Sequence, residues 1–151
     1  EAQNFISRFD YQYQSVARSA RACTVYLTQN VSNYYAVLGT AGRDQANALL
    51  GNFQTKIFHA NSGDTNQFAA DIIAQHTTTF FNFGTSRTEG GNTHSGGGSD
   101  TVQYKVYPAA FTTLRKGGPA NHLEVDAIVF QGGRIWHATS DTYLKTVFTQ
   151  G

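Results

Sequence analysis

Apolar residues recur at helical spacing through the first half of the chain. Between residues 5 and 20 they lie three or four positions apart. A second run has the i, i+3, i+4, i+7 spacing of one helix face and ends before Gly39, and its members are Val31, Tyr34, Tyr35 and Leu38. Two further short helices are predicted, around residues 46–50 and over residues 68–73, where Ser62 or Asp64 can cap the start.

Two β-branched runs are interleaved with these helices. Residues 23–28 are short, apolar and bounded by polar positions, which predicts a buried strand containing the single Cys23 as a reduced, buried thiol. Residues 55–59 form the second predicted strand. Because strands and helices alternate, we expect the two strands to be parallel neighbours in a sheet that helices cover. One cysteine excludes an internal disulfide framework.

The pattern changes after residue 83. Residues 84–101 contain six glycines and no aliphatic side chain, which predicts a flexible linker. Beyond it, β-type runs cover residues 102–107, 123–130, 134–138 and 143–148, and Gln131-Gly132-Gly133 is a hairpin turn signal between two of them. The chain is therefore divided into an α/β unit at 1–83, a linker at 84–101 and a β-rich segment at 102–151.

Composition limits the function classes without selecting one. The chain is 40% hydrophobic and only 14% charged, with a net charge of +1, so its total charge demands neither nucleic acid nor an anionic membrane as a partner. No apolar stretch approaches the ~20 residues of a membrane span. The 151 residues contain no methionine, which leads us to expect a fragment or a processed product.

Classical site motifs are weak in this sequence. The five histidines are scattered and none has metal-ligand spacing with another or with Cys23. The run Gly96-Gly97-Gly98 lacks the lysine and the following helix of a phosphate loop. Arg115-Lys116-Gly117-Gly118 beside Phe111 could touch nucleic acid, although a surface turn is the better interpretation of two charges.

Several segments, in order and spacing, resemble the TraG/TraD-like coupling ATPases of conjugation and type IV secretion. They are Glu1-Ala2-Gln3-Asn4-Phe5, Ala17-Arg18-Ser19-Ala20-Arg21, Leu27-Thr28-Gln29-Asn30 and the stretch from Ala48 to Phe58, with looser matches at 111–115 and 125–130. The resemblance implies an α/β fold: a partial RecA-like parallel sheet with flanking helices, then the glycine-rich linker and a C-terminal antiparallel β unit. The family's phosphate loop has no counterpart here.

The resemblance also implies catalytic roles. Glu1 matches the glutamate that polarises water, Gln29 the strand-end amide that links hydrolysis to movement, and Arg18 an arginine that reaches a neighbouring subunit's nucleotide in trans. A guanidinium suits the last role because it is always charged and binds phosphate bidentately. Arg21, three positions on, is interpreted as a solvated basic residue. The parent protein would use ATP and Mg²⁺, whereas the isolated chain, without a phosphate loop, is expected to hold neither and to be inactive.

The implied partners are other copies of the chain and DNA or a relaxase–DNA complex, with the parent on the cytoplasmic side of the bacterial inner membrane and no membrane span in this chain. Two alternatives remain open from the residues. One is a non-catalytic binding or assembly module. The other is a self-assembling structural subunit, filamentous or extracellular, with exposed strand edges in residues 102–151 as its contacts.

Overall fold

The computed structural model describes residues 1–7, 9–17, 19–39, 42–88 and 91–151. The helices are α1 (Asp10–Ala17), α2 (Ser32–Leu38), α3 (Gly42–Asn52), α4 (Asp64–Ile73) and α5 (Pro108–Thr112), with 3-10 turns at Ala2–Asn4 and Pro119–Asn121. The strands are β1 (Thr55–Phe58), β2 (Gln75–Thr88), β3 (Gly91–Tyr104), β4 (Glu124–Gln131) and β5 (Tyr143–Thr149). None of the helices within these ranges is long and apolar enough to cross a membrane.

The first hydrophobic core lies among the N-terminal helices. The face predicted for α2 supplies Val31, Tyr34 and Leu38, and Tyr34 is completely buried. The predicted apolar positions of α3 complete the cluster, with Ala46, Leu49 and Leu50. Both helices predicted from helical spacing are therefore confirmed, because each buries one apolar stripe against the other.

The second core lies between α4, α5 and a three-stranded sheet of order β1-β4-β5. Its centre is Phe111, whose ring meets Phe58 of β1 edge to face at a centroid distance of 5.9 Å. Ile73 of α4 and Ile128 of β4 pack in the same cluster, each at most 3% exposed. The helix predicted over residues 68–73 and the strands predicted at 55–59, 123–130 and 143–148 are confirmed as α4, β1, β4 and β5.

The parallel RecA-like sheet is a wrong prediction. Both sheets in the described part of the chain are antiparallel, and β1 pairs with β4 in the register Thr55↔Gln131 to Phe58↔Ile128. Residues 23–28 form an extended segment, not a strand. Thr24 and Tyr26 turn inward to bond α1, through Gln14 and Asp10 respectively. The period of two then turns alternate side chains outward.

Cys23 is consequently exposed, which corrects the prediction of a buried thiol. The outward row continues with Val25 and Leu27, which are 78% and 72% exposed. The predicted helix over residues 5–20 is shorter than its apolar spacing indicated, because the α-helix occupies only Asp10–Ala17. Its stripe at Phe9, Tyr13 and Val16 faces solvent.

The prediction that residues 84–101 are a linker without regular structure is also corrected. Most of residues 84–101 lie in a two-stranded ribbon, in which β2 and β3 pair from Gln75↔Tyr104 to Thr88↔Gly91. The hairpin partner predicted at 134–138 is wrong as well, because β4 pairs with β5, from Glu124↔Thr149 to Phe130↔Tyr143. Residues 134–138 instead lie in the connection, which turns at Gly133 with φ +76° and contains a Trp136–Asp141 bridge. The domain division itself stays a prediction.

Candidate functional site

A polar cleft of about 360 Å³ lies where the extended segment ends. It is formed by three stretches that are distant in sequence: the end of the extended segment, the loop between β1 and α4, and the region around the C-terminal end of α5. The side chains and backbone that line it belong to Gln29, Ala60, Asn61, Ser62, Thr112 and Lys116. The lining therefore combines amides, hydroxyls and one cationic group.

Hydrogen bonds from Asn61 hold the loop against the extended segment. Its Nδ2 donates to the Gln29 carbonyl at 2.6 Å, and its Oδ1 accepts from the Ser62 backbone N–H at 2.8 Å. The buried Asn66 of α4 donates to the Asn61 carbonyl at 2.9 Å and to the Thr112 hydroxyl at 3.1 Å. These bonds connect all three stretches, so the cleft has a defined shape although most of its members are exposed.

The residue after Gln29 fixes the segment to the helical core. Asn30 Oδ1 accepts from the Ser32 N–H at 2.8 Å and from the Thr65 hydroxyl at 3.1 Å. The same Thr65 hydroxyl accepts the Val31 N–H at 3.0 Å. Gln29 is thus held by its main chain on both sides. Within the described residues its side-chain amide makes no hydrogen bond and is available to a ligand.

Arg115 and Lys116 are adjacent but have different roles. Arg115 forms ion pairs with Glu124 at 2.6 Å and Asp126 at 3.0 Å, so its charge is neutralised by carboxylates of β4. The Arg115 backbone N–H also donates to Asp126, and this bond, with the guanidinium, lowers the pKa of the Asp126 carboxyl. Lys116 is exposed at the cleft, and its Nζ makes no hydrogen bond or ion pair in the described ranges.

The cleft has the chemistry of an anion site. An ammonium group, two hydroxyls and two amides can donate to phosphate or carboxylate oxygens. No carboxylate lines it, so it contains no side chain suited to act as a general base and no anionic ligand for Mg²⁺. Elsewhere in the described chain, no three His, Cys, Asp or Glu residues are grouped so as to hold a metal ion.

Two of the three catalytic residues predicted from the sequence, Glu1 and Gln29, line different clefts. Glu1 lines a separate cleft of about 300 Å³ with Phe5, Val25 and Leu27 among its neighbours, and its carboxylate accepts a 3.3 Å bond from Asn4. This cleft abuts the extended segment two residues before Gln29, because the Ala2 N–H donates to the Leu27 carbonyl at 2.7 Å. Arg18 lies outside the described residues.

Sequence reasoning missed most of the cleft. In the sequence, Lys116 is only one half of the weak basic pair Arg115-Lys116. The acidic residues Glu124 and Asp126 are the signal that could have distinguished the two, because they pair with Arg115 and leave Lys116 unpaired in the described residues. Asn61 lies 32 residues from Gln29, and no spacing rule connects them. Only the tertiary fold brings these residues to one place.

The family model described as "TraM recognition site of TraD and TraG" matches residues 1–110. This match covers more than half of the chain and confirms the resemblance to coupling proteins, whose C-terminal portion it represents. The chain therefore belongs to the TraG-D_C family and to the context of conjugative transfer. A comparison with curated proteins finds no match.

Proposed function

We propose that this chain is part of a DNA-transfer coupling ATPase and contributes residues that sense and complete a nucleotide site built largely by other parts of the protein. Gln29 is the sensor, Glu1 orients water, and Arg18 acts in trans on a neighbouring subunit's nucleotide. Family membership supports the setting, which is the cytoplasmic side of the bacterial inner membrane. The cleft that presents Gln29 beside Lys116 is the single observation that carries the proposal.

The geometry of the cleft supports the sensor role. The main chain of Gln29 is anchored by Asn61, while its amide is free to donate to a phosphate oxygen and to accept from a water molecule. Lys116 supplies positive charge in the same cleft. Bound Mg²⁺ and ATP would bring the charge neutralisation and the scissile bond. The sequence has no phosphate loop that combines a glycine-rich cradle with a lysine, so we expect no ATP hydrolysis by this chain alone.

The test is a titration of the isotope-labelled chain with ATP, followed by amide NMR. We expect shifts in the Gln29 side-chain NH₂ and in Asn61, with saturation only at millimolar ligand, because one exposed ammonium is a weak anchor. Lys116→Ala should abolish these shifts. Lys145→Ala, which removes an exposed lysine of β5 that does not line the cleft, is the matched control and should leave them unchanged.

Three outcomes would contradict the proposal. Shifts elsewhere but not at Gln29 and Asn61 would place the nucleotide on another surface. Equal weakening by Lys116→Ala and Lys145→Ala would mean non-specific attraction to positive charge. Measurable ATP hydrolysis by the pure chain, lost on Gln29→Ala, would show that the catalytic machinery is complete here and overturn the supporting role.

A recognition module is the second candidate function. The description of the matching family, a recognition site for TraM, favours it, and the relevant partner would be a protein of the relaxosome or its bound DNA. A binding titration with the TraM-type protein of the same conjugation system separates the two. Affinity that is unchanged by Gln29→Ala and Lys116→Ala would place recognition outside the cleft.

A further inference from the structure

The β2–β3 ribbon is the least covered element of the described chain. Its strands pair over 14 residues each, yet Phe81, Phe83 and Val102, which share one face, are 68%, 85% and 62% exposed. A two-stranded hairpin is at best marginally stable in water, and three glycines in a row in β3 weaken it further. The ribbon therefore needs additional strands to be a persistent structure.

The outer edge of β2 is open to receive them. One edge of β2 bonds to β3, and within the described residues no strand pairs with the other. Residues 77–86, Thr-Thr-Thr-Phe-Phe-Asn-Phe-Gly-Thr-Ser, contain no charge and no proline. Natural proteins protect free edges with lysine, proline or bulges, and β2 has none of these over ten residues. Threonine and phenylalanine are also strong strand formers.

We propose that β2 pairs antiparallel with β2 of a second copy of this chain, centred on Asn82. That register places Phe81 opposite Phe83 of the partner copy and, by symmetry, Phe83 opposite Phe81. Phe80 falls opposite a glycine at position 84, an arrangement in which an aromatic ring covers the bare backbone. The next pairs outward, 79 with 85 and 78 with 86, are threonine with threonine and threonine with serine, which are favourable cross-strand neighbours.

The paired ribbons form a four-stranded sheet with a continuous aromatic face. In each copy the rings of Phe81 and Phe83 already lie over Gly98 and Gly96, at 3.5 and 3.6 Å from where a Cβ would stand. The exposed apolar area of this face is roughly 300–400 Å² per copy. Edge pairing brings Phe81 of one copy beside Phe83 of the other but leaves much of this face open. The interface is therefore smaller than the standard of about 800 Å² per partner, and a weak, micromolar dissociation constant is expected.

Charge favours a second copy over nucleic acid as the occupant. Residues 75–104 contain Arg87 against Glu89 and Asp100, one positive and two negative charges, so the ribbon does not attract phosphates. In the proposed register, Arg87 falls opposite Thr77 of the partner copy, on the face that carries that copy's Asp100. The self-pairing depends on the ribbon alone and not on the polar cleft.

Sedimentation of the whole chain over a range of concentrations tests the dimer. We expect a monomer–dimer equilibrium, and Asn82→Lys should raise its dissociation constant at least about tenfold, since two like charges would then stand directly opposite each other. Thr101→Lys, which places the same charge on β3 of the same ribbon, is the matched control and should leave the equilibrium nearly unchanged. A chain that stays monomeric to hundreds of micromolar would overturn the proposal.

A cross-link tests the register. In a Cys23→Ser background, Asn82→Cys should give a disulfide-linked dimer under mild oxidation, because directly opposed residues have Cα atoms about 4.5–5.5 Å apart, within disulfide range. Ser99→Cys lies on β3, away from the pairing edge, and should cross-link much more slowly. Equal rates for the two variants would reject the pairing. So would a dimer that forms through another surface and survives Asn82→Lys.

Discussion

The two antiparallel sheets of this chain differ in what lies behind them. In the β1-β4-β5 sheet, residues 127–129 of β4 are at most 8% exposed, and Ile128 packs against α4 and α5. In the β2–β3 ribbon, almost every described side chain is exposed, and the contact with the rest of the fold is at its base, where Tyr104 bonds Asp71 and Gln67 of α4.

The difference shows that a long hydrogen-bonded register between two strands does not ensure that their side chains are buried. The ribbon has twice as long a paired register as β4 with β5, but little apolar surface leaves water on its formation. Burial contributes about 25 cal/mol per Å², whereas a net hydrogen bond contributes little. The three-stranded sheet should therefore carry the stability of this part of the chain, and the ribbon should open locally.

Truncating one phenylalanine in each sheet is expected to give the largest contrast. Phe111→Ala removes a ring that is 1% exposed and should cost about 3–5 kcal/mol of unfolding free energy. Phe83→Ala removes a ring that is 85% exposed and should cost less than about 1 kcal/mol. Urea denaturation measures both at concentrations where the chain is monomeric. Similar losses would show that the ribbon is covered in solution.

Loss of the Asp126 carboxylate should have a smaller effect on the three-stranded sheet. The Arg115 backbone N–H and guanidinium lower the pKa of Asp126 in the folded chain. The stabilisation is therefore complete above the unfolded-state pKa of about 3.9 and is lost as pH falls through the depressed folded value. The stability difference between the wild type and Asp126→Asn, followed by urea denaturation, should shrink below that pH.

The exposed Asp44, which makes no ion pair in the described ranges, provides the control for that experiment. Asp44→Asn should show no comparable pH-dependent difference. A gap between wild type and Asp126→Asn that stays constant into acid would mean that packing, and not charge, accounts for the effect of Asp126.

Glycine substitutions should give the smallest effects, with opposite signs in the two sheets. A Cβ at Gly97 meets open space and its φ is ordinary, so Gly97→Thr should stabilise the ribbon by about 0.4–1 kcal/mol. Gly133 leads out of β4 with φ +76°, so Gly133→Ala should cost about 1–2 kcal/mol. Hydrogen exchange of the ribbon amides measures the effect of Gly97→Thr, and thermal unfolding measures the effect of Gly133→Ala. Faster ribbon exchange after Gly97→Thr, or a higher unfolding temperature after Gly133→Ala, would contradict the contrast.

Local signals predicted the elements well where an element buries one regular stripe. The spacing of Val31, Tyr34 and Leu38 predicts α2, and these residues are buried in the structure. The same reasoning failed for residues 23–28, because a β-branched run indicates extended backbone but not a pairing partner. It failed for 84–101 because glycine lowers strand propensity, while the 14-residue register with β2 holds the segment extended.

The sequence by itself determined the positions of most helices and strands, the family, and Gln29 as a candidate site residue. All of these rest on spacing and order within short windows. The tertiary structure alone decided that β1 pairs with β4, that Cys23 faces out, and that Asn61 and Lys116 join Gln29 in one cleft. Such contacts link residues dozens of positions apart, and they form only because burial of two separate cores selects one packing among many that the local pattern allows.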